Sequence, residues 1–329
     1  MAEVLSPNEV QAAVEAIAML RGGLSKVLLD QDTVVDRVVT AVLARGHVLL
    51  EGLPGLGKTE LCKGLAKLLG LPFKRVQFTP DLLPGDITGT YVIDGETRAF
   101  TFRPGPLFAS IVLADEINRS SPKTQSALLE AMQERSVTVL GTTHPLPSPF
   151  FVLATQNPIE LEGTYPLPEA QLDRFLFRVL VPAVGAKTLA TILTQRVRGA
   201  PPALDAVVTP ASLDALFATV DRVHLPLPVA DYIGRLVEAS HPASPSAAPT
   251  VKRFVKYGGS PRAALALAAA SRAWALTKGK PNVGFDEVRE LASAVLNHRL
   301  VLSYDASLEK VGAQAVVDGL LAHVPEVAR

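Results

Sequence analysis

The sequence has little cysteine, no excess of either charge and no long hydrophobic run. Its 329 residues include one cysteine, Cys62, so no disulfide can form within the chain. Lys and Arg total 32, as do Asp and Glu, and there is no run of five or more like charges. Because proteins that neutralise many phosphates usually carry a basic excess, the composition gives no indication of a nucleic-acid partner.

Targeting and membrane signals are also missing. The first ten residues, MAEVLSPNEV, lack a positive segment followed by an apolar one. No apolar run reaches the roughly 18 residues that a membrane-spanning helix needs. A single cysteine fits a reducing compartment. We therefore expect a soluble, cytoplasmic protein with no membrane partner.

Hydrophobic periodicity predicts two domains. Helical spacing over residues 8–42 predicts two helices separated at the Gly22–Gly23 pair. Five short apolar runs, alternating with helical patterns, predict an α/β fold with a doubly wound, parallel, five-stranded sheet. These runs are residues 47–51, 73–78, 111–115, 150–156 and 175–181. Amphipathic patterns over residues 187–197, 210–220, 228–240, 261–277 and 285–296 then predict an all-α domain without strands. We place the α/β domain at residues 1–182 and the helical domain at residues 183–329.

A glycine-rich loop between the first strand and its helix is the strongest motif. It matches G-x-x-x-x-G-K-[ST], a pattern whose backbone N–H groups and following helix N-terminus surround phosphates. The lysine supplies a charge for the β and γ phosphates, and the threonine hydroxyl suits Mg²⁺. The predicted nucleotide-binding residues are Gly52, Leu53, Pro54, Gly55, Leu56, Gly57, Lys58, Thr59 and Glu60.

Polar residues follow the next strands at the same sheet edge. Asp115 and Glu116 end the apolar run 111–115, where we expect Asp115, with Thr59, to hold Mg²⁺. Glu116 suits a general base that accepts a proton from the attacking water. Asn157 follows the run 150–156 and can orient that water, although Asn before Pro is also a common turn signal.

Two arginines are further candidates. Arg174 precedes the last predicted strand and can act as an arginine finger on a neighbour's nucleotide, or form a surface salt bridge. Ser260 and Pro261 predict the start of a helix, which places Arg262 in the first turn. Cations are disfavoured there by the helix dipole, so Arg262 suggests an anionic partner such as phosphate.

In this order the motifs resemble an AAA+ ATPase, and the segments around them resemble its MoxR branch. The resemblance covers the chain from about Gln31 onward. The segments that carry it are GHVLLEGLPGLGKT (46–59), LADEINR (113–119), KTQSALLEAMQE (123–134), ATQNPI (154–159), EGTYPLPEAQLDRF (162–175), GSPRA (259–263) and LNHR (296–299).

The resemblance implies a role for each candidate. Gly52 to Thr59 would form the Walker A loop, Asp115 and Glu116 Walker B, Asn157 sensor 1, Arg174 the arginine finger and Arg262 sensor 2. It also implies a helix-2 insert and a pre-sensor-1 insert. For these we predict hairpins over residues 86–102, turning at Asp94–Gly95, and over residues 137–146, turning at Gly141–Thr142.

Similar proteins form rings, usually hexameric, and act with a von Willebrand factor A domain protein in chaperone-like assembly or maturation. One departure is that the family often has Val-Gly-Gln near the adenine, where this chain has Leu29-Asp30-Gln31.

We therefore predict an ATP hydrolase, dependent on Mg²⁺ and ATP, that forms a ring and remodels or matures a client protein. The alternatives are a nucleic-acid or chelatase-type motor and a nucleotide-gated scaffold with little turnover. Residues 137–146 contain no Lys or Arg, and residues 86–102 contain only Arg98 beside Asp86, Asp94 and Glu96, which disfavours a nucleic-acid motor. A scaffold needs only the phosphate loop, so the presence of Glu116, Asn157 and Arg174 disfavours it.

Overall fold

The computed structural model describes residues 5–95, 98–157, 163–196 and 201–327. The chain divides into two compact units. One, the sheet unit, comprises Met19–Arg174 and Val179–Leu213, and the other, the helical unit, comprises Met1–Ala18, Phe175–Arg178 and Asp214–Arg329. Our domain boundary at residue 182 stays a prediction.

The strands include all five that the apolar runs predict. In chain order they are β1 (Val48–Glu51), β2 (Phe73–Gln77), β3 (Gly89–Ile93), β4 (Phe100–Pro104), β5 (Ile111–Asp115), β6 (Ser136–Val139), β7 (Thr142–Pro145), β8 (Phe151–Gln156), β9 (Phe177–Leu180), β10 (Val255–Tyr257) and β11 (Val301–Leu302). The main sheet has the order β2-β5-β8-β1-β9. The pairs β2–β5, β5–β8 and β1–β8 are parallel, which confirms the predicted doubly wound sheet.

The burial pattern of the central strands places their polar residues at one edge of the sheet. In β1, β5 and β8 every residue is buried except the last, which is partly exposed: Glu51, Asp115 and Gln156. Parallel strands covered by helices on both faces bury continuous apolar runs, so a polar residue is tolerated only where the strand ends. The same edge therefore receives the chemistry-bearing residues of successive strands.

The helices cover the sheet and form the bulk of the helical unit. In chain order they are α1 (Pro7–Val27), α2 (Asp32–Leu43), α3 (Lys58–Leu68), α4 (Pro84–Thr88), α5 (Pro122–Glu134), α6 (Glu169–Leu172), α7 (Ala186–Gln195), α8 (Pro210–Arg222), α9 (Leu227–Ala239), α10 (Pro249–Phe254), α11 (Pro261–Thr277), α12 (Phe285–Leu296), α13 (Tyr304–Leu308) and α14 (Ala313–His323). Residue 197, the predicted end of α7, lies outside the described residues. In the described part of the chain, no helix is both long and apolar enough to cross a bilayer.

The predicted helix break at Gly22–Gly23 is wrong, because α1 continues through both glycines and the break lies after Val27. Gly22 is exposed, whereas Gly23 is buried against α3. A Cβ on Gly23 would lie 2.5 Å from Leu68 Cδ2, and a Cβ on Gly22 would meet nothing within 4 Å. Gly23 therefore serves close packing between helices rather than a turn.

Both predicted hairpins exist, but their boundaries differ from the predictions. The first hairpin pairs β3 with β4, and Asp86 belongs instead to the short helix α4. Its strands are joined by residues 94–99 rather than by a two-residue turn at Asp94–Gly95. Glu96, one of the acids that we cited against a nucleic-acid motor, lies outside the described residues. The second hairpin, β6–β7, turns at Leu140 (φ 49°) and Gly141 (φ 80°), one residue earlier than predicted. Positive φ at both central residues is the signature of a type I′ turn.

Aromatic stacking joins the two hairpins. His144 of β7 stacks on Phe102 of β4 with ring centroids 3.9 Å apart, and the Tyr91 hydroxyl lies 3.4 Å from His144 Nε2. The apolar side chains of Ile93, Phe100 and Leu140, near the hairpin ends, are more than 60% exposed. The hairpins thus share a packed base and present apolar side chains to solvent.

The helical unit confirms several predicted boundaries and adds elements that the periodicity did not predict. Helices α11 and α12 have the predicted limits, and α11 begins with Ser260 as N-cap, its side chain accepting from the Arg262 N–H, and Pro261 in the first turn. The expectation of no strands is wrong, because β10 and β11 form an antiparallel pair. These strands have three and two residues, too short for alternation to be detected.

The adjacent glycines of α1 provide a matched test of the packing argument. We expect Gly22→Ala to raise the thermal midpoint, since alanine favours an exposed helix interior by about 1 kcal/mol over glycine. We expect Gly23→Ala to lower the midpoint, because the new methyl group must displace the buried Leu68 side chain. Thermal unfolding followed by circular dichroism measures both. Equal shifts for the two variants would contradict the assigned role of Gly23.

Candidate functional site

The loop between β1 and α3 forms one wall of a cavity of about 360 Å³ in the sheet unit. Gly55 and Gly57 have φ values of 81° and 84°, a conformation that glycine adopts without strain. Such a loop, followed by the N-terminus of the 11-residue helix α3, directs N–H groups towards an anion. The described residues lining the cavity are Pro54, Gly55, Gly57, Lys58, Thr59, Glu60, Arg75, Gln77, Asp115, Glu116, Thr155 and Asn157.

Lys58 lies at the base of this loop. Its Nζ donates a hydrogen bond of 2.6 Å to the Gly52 carbonyl oxygen. Burial lowers the pKa of Lys58, and the nearby carboxylates of Asp115, Glu116 and Glu51 oppose that shift. The desolvated ammonium group is therefore surrounded by acids, and its electrostatic interactions are stronger than they would be in water.

Asp115 is held by two residues from neighbouring strands. The Thr155 hydroxyl donates to Asp115 Oδ1 at 2.6 Å, and Arg75 donates to Oδ2 from Nη2 at 2.7 Å and from Nε at 3.1 Å. The Arg75 side chain is about half exposed, so we regard this ion pair as an orienting contact rather than a large source of stability. The carboxylate is thus fixed at the cavity wall.

Glu116 adopts a left-handed conformation, with φ 55° and ψ 51°. This region is uncommon for residues other than glycine and is concentrated at functional sites. The Glu116 N–H donates to Thr155 Oγ1 at 2.8 Å, while Glu116 Oε2 accepts from Gln77 Nε2 at 2.8 Å and from Arg119 Nη1 at 3.1 Å. The two adjacent acids are therefore held separately although they share Thr155.

The other residues predicted in the phosphate site lie around the same cavity. Asn157 follows β8, is buried and lines the cavity. Thr59 and Glu60 occupy the first turn of α3 and also line it. Leu53 and Leu56 belong to the loop but are not among the described lining residues. The structure thus brings the loop, both acids and Asn157 together.

The segment that departs from the family pattern is built around Asp30. This residue has φ 58°, a conformation in which glycine carries no steric penalty. Its Oδ2 accepts a 2.9 Å hydrogen bond from Thr188 Oγ1 on α7. The aspartate therefore gains a contact that a glycine at this position lacks.

The two arginine candidates are not among the described residues that line the cavity. Arg174 follows α6 and is partly exposed, and its Nε atom is buried with no hydrogen-bond partner among the described residues. Arg262 lies in the first turn of α11 in the helical unit. The roles predicted for these two residues stay predictions.

Three residues of the site are not in our predictions: Arg75, Gln77 and Thr155. Arg75 and Gln77 alternate along β2, and the register places Gln77 beside Asp115. Polar residues two positions apart in a strand lie on the same face, and this spacing was the signal in the sequence that could have identified them. Thr155 carries no such signal, because a single threonine is ordinary in a buried strand.

The donor atoms present are suitable for Mg²⁺. Thr59 and Asp115 offer oxygen ligands on the cavity wall, and the described residues contain no group of three His, Cys, Asp or Glu side chains able to hold a metal ion. Mg²⁺ in nucleotide sites is usually held by one or two protein oxygens, with phosphate and water completing the octahedron. The residues therefore fit Mg²⁺ that arrives with a nucleotide.

Comparison with known proteins agrees with this geometry. The family model described as "ATPase family associated with various cellular activities (AAA)" matches residues 47–177, and the AAA lid domain model matches residues 247–320. A crystal structure of a candidate ATPase from Cytophaga hutchinsonii superposes with a TM-score of 0.89 at 34% identity, covering 98% of each chain.

Similar sequences extend over most of the chain. The uncharacterized protein YeaC of Bacillus subtilis is 43% identical, covering 92% of each chain. The chaperone MoxR1 of Mycobacterium tuberculosis is 43% identical over 91% of this chain and 79% of its own length. The protein MoxR of Paracoccus denitrificans is 33% identical over 92% and 94%. With this sequence similarity and the matching fold, the chain belongs to the MoxR family of AAA+ ATPases.

Proposed function

We propose that this ATPase binds Mg²⁺ and ATP in the β1–α3 cavity, hydrolyses ATP at the interfaces between subunits of a ring, and uses the energy to remodel or mature a client protein. The observation that carries the proposal is the pair of differently held acids opposite the phosphate loop. Asp115 is held by Arg75 and Thr155, whereas Glu116 is held by Gln77 and Arg119.

The loop binds the phosphates. Residues of the loop and of the first turn of α3 line the cavity, and Lys58 places a positive charge beside them. Lys58 Nζ can exchange its hydrogen bond with the Gly52 carbonyl for one to a phosphate oxygen, a charge-assisted contact that is shorter and stronger. Thr59 and Asp115 would hold Mg²⁺, which neutralises charge on the phosphates when bound.

Glu116 acts as the general base. Gln77 and Arg119 both donate to Oε2, so Oε1 is available to take a proton from the attacking water. Asn157 is buried on the same cavity wall and orients that water through its side-chain amide. Thr155 fixes the Glu116 backbone, which determines the direction of the carboxylate.

Arg174 completes the site of a neighbouring subunit. It is not among the described residues that line its own cavity, and its Nε atom is buried without a partner. A guanidinium group with donor capacity left over by the described residues is suitable for stabilising the charge of a transferring phosphoryl group in trans. Family membership supports a ring, which we propose to be hexameric, and a von Willebrand factor A domain protein as partner.

The hairpins favour a protein client. Three large side chains that they expose, Ile93, Phe100 and Leu140, are apolar. The described residues of the hairpins include two arginines, Arg98 and Arg103, and the acid Asp94. Apolar side chains suit a polypeptide better than a phosphate backbone, and the name of the relative MoxR1 describes a chaperone. Salt-dependent stimulation of turnover by a nucleic acid, with none by an unfolded protein, would overturn this part.

Removing the base separates binding from hydrolysis. We expect Glu116→Gln to lower turnover by about 10²–10⁴-fold while ATP binding is retained, because the amide cannot accept the proton but the phosphate loop is unchanged. Lys58→Ala is the matched variant and should lose ATP binding instead. Phosphate release and equilibrium binding of a fluorescent ATP analogue measure the two effects. Full turnover in Glu116→Gln at every protein concentration would refute the assigned mechanism.

The shared hydroxyl of Thr155 can be tested with near-isosteric variants. We expect Thr155→Val to lower turnover at least tenfold and stability by about 1–3 kcal/mol, because the Glu116 N–H loses its acceptor and Asp115 loses the donor that the buried Thr155 supplies. Thr155→Ser retains the hydroxyl and should keep most of the activity. Steady-state kinetics and chemical denaturation provide the measurements. Equal activity in the valine and serine variants would show that the hydroxyl does not position the acids.

Assembly and turnover should depend on each other. We expect turnover per chain to rise with protein concentration in parallel with the mass in solution, since each site needs a neighbour's Arg174. Arg174→Ala should lower turnover by about 10³-fold while leaving ATP binding intact. Light scattering with and without ATP, alongside the rate assay, measures both. A monomer with constant turnover that the substitution leaves unchanged would exclude a finger in trans.

A further inference from the structure

Three consecutive side chains after α12 bind the backbone that follows Arg174 in the chain. Asn297 Nδ2 donates to the Arg178 carbonyl oxygen at 3.2 Å. Arg299 Nη2 donates to the Phe175 carbonyl oxygen at 2.7 Å, and its Nη1 donates to that of Leu176 at 3.2 Å. We call Asn297, His298 and Arg299 the carbonyl clamp. All of these residues belong to the helical unit.

His298 orients the guanidinium group of this clamp. Its Nδ1 lies 2.9 Å from Asn297 Oδ1, and its Nε2 lies 3.0 Å from Arg299 Nη1. Burial and the charge of Arg299 hold the pKa of His298 well below its usual range, so the ring is neutral. Its Nε2 also lies 2.9 Å from the Phe175 carbonyl oxygen, the same oxygen that accepts from Arg299 Nη2. The clamp is thus one connected hydrogen-bond network.

Burial makes the network rigid. Arg299 is 7% exposed and His298 is 4% exposed, and the Phe175 side chain beside them is fully buried. A buried guanidinium group is tolerated only when its N–H groups are hydrogen-bonded, so any displacement of the Phe175 or Leu176 carbonyl is unfavourable. The Phe175 and Leu176 peptide groups, which directly follow Arg174 and precede β9, are therefore held by these side chains.

We propose that Arg299 and His298 are positioning residues for Arg174: by holding the Phe175 and Leu176 carbonyl groups, they fix the backbone from which Arg174 reaches a neighbouring subunit's nucleotide. The proposal rests on the role proposed above for Arg174. The Nε atom of Arg174 is buried and has no hydrogen-bond partner among the described residues, so no hydrogen bond at that atom fixes the side chain. The backbone that follows Arg174 is therefore a feature through which its position can be fixed.

The test uses Arg299→Lys, which keeps the charge but loses the planar donor fork. We expect kcat to fall about ten- to a hundredfold, because displacing a catalytic group such as Arg174 by about 1 Å has effects of this size. The KM for ATP should change little, because the variant's own nucleotide cavity is intact. Arg289→Lys is the matched control. Arg289 also donates to a backbone carbonyl of the helical unit, that of Leu321, but does not contact residues 175–178. It should retain full turnover.

Mixed assemblies separate positioning from folding. A Glu116→Gln subunit is inactive itself but presents an intact Arg174, so adding it to Arg299→Lys should restore hydrolysis at the Arg299→Lys subunits. A subunit carrying both Glu116→Gln and Arg174→Ala should give no rescue. Rescue by the first and not by the second is the expected result. Equal rescue by the two added subunits would overturn the proposal. So would a raised KM for ATP in Arg299→Lys measured without an added subunit.

Thermal unfolding would reveal whether Arg299→Lys misfolds, and in that case a second variant provides the test. Asn297 is only partly buried, and Asn297→Ala removes both its bond to the Arg178 carbonyl and its contact with His298 Nδ1. It should show the same rescue pattern with a smaller defect, and full activity would overturn the proposal. Full turnover in Arg174→Ala would instead refute the finger itself, and the positioning role with it. Low turnover in Arg174→Ala with unrescued clamp variants refutes only the clamp.

Discussion

The site depends on one hydroxyl group that is both a hydrogen-bond donor and a hydrogen-bond acceptor. Thr155 Oγ1 donates to Asp115 and accepts from the Glu116 N–H, so it fixes the two adjacent acids relative to each other. This requires the parallel register in which Ala154 lies beside Ala114, because a slip of one residue would turn Thr155 to the other face of the sheet. The buried apolar runs of β5 and β8 fix that register. The hydrophobic pattern of the strands thus determines the catalytic geometry.

Charge balance around the cavity follows from the same strand order. Lys58, Arg75 and Arg119 face Glu51, Asp115 and Glu116, so each acid has a cation nearby. A site whose dipoles and charges are already oriented needs little rearrangement as charge develops in the reaction. The edge strand β2 contributes through the polar residues Arg75 and Gln77, which is why it does not have the continuous apolar pattern of β5 and β8.

The sequence predicted those features that local chemistry determines. The five sheet strands, the phosphate loop and the helix start at Ser260 follow from apolar runs, glycine spacing and capping, and the structure has all three. Features determined by distant partners were not predictable. Gly23 resembles a helix breaker until Leu68 is placed against it, and Leu140 occupies a turn position that its type disfavours. Thr155 has its role only through residues 39 and 40 positions away.

The carbonyl clamp shows why a helix end is a suitable place to hold a neighbouring segment. The last carbonyl groups of a helix have no partner within it, and Arg299 Nη1 also donates to the Val295 carbonyl oxygen in the last turn of α12. One guanidinium group therefore satisfies the end of α12 and the carbonyls of Phe175 and Leu176 together. A lysine has no planar fork to span them. The terminus of α12 and the backbone after Arg174 are thus stabilised by the same donor, so neither can shift without leaving a buried charge unsatisfied.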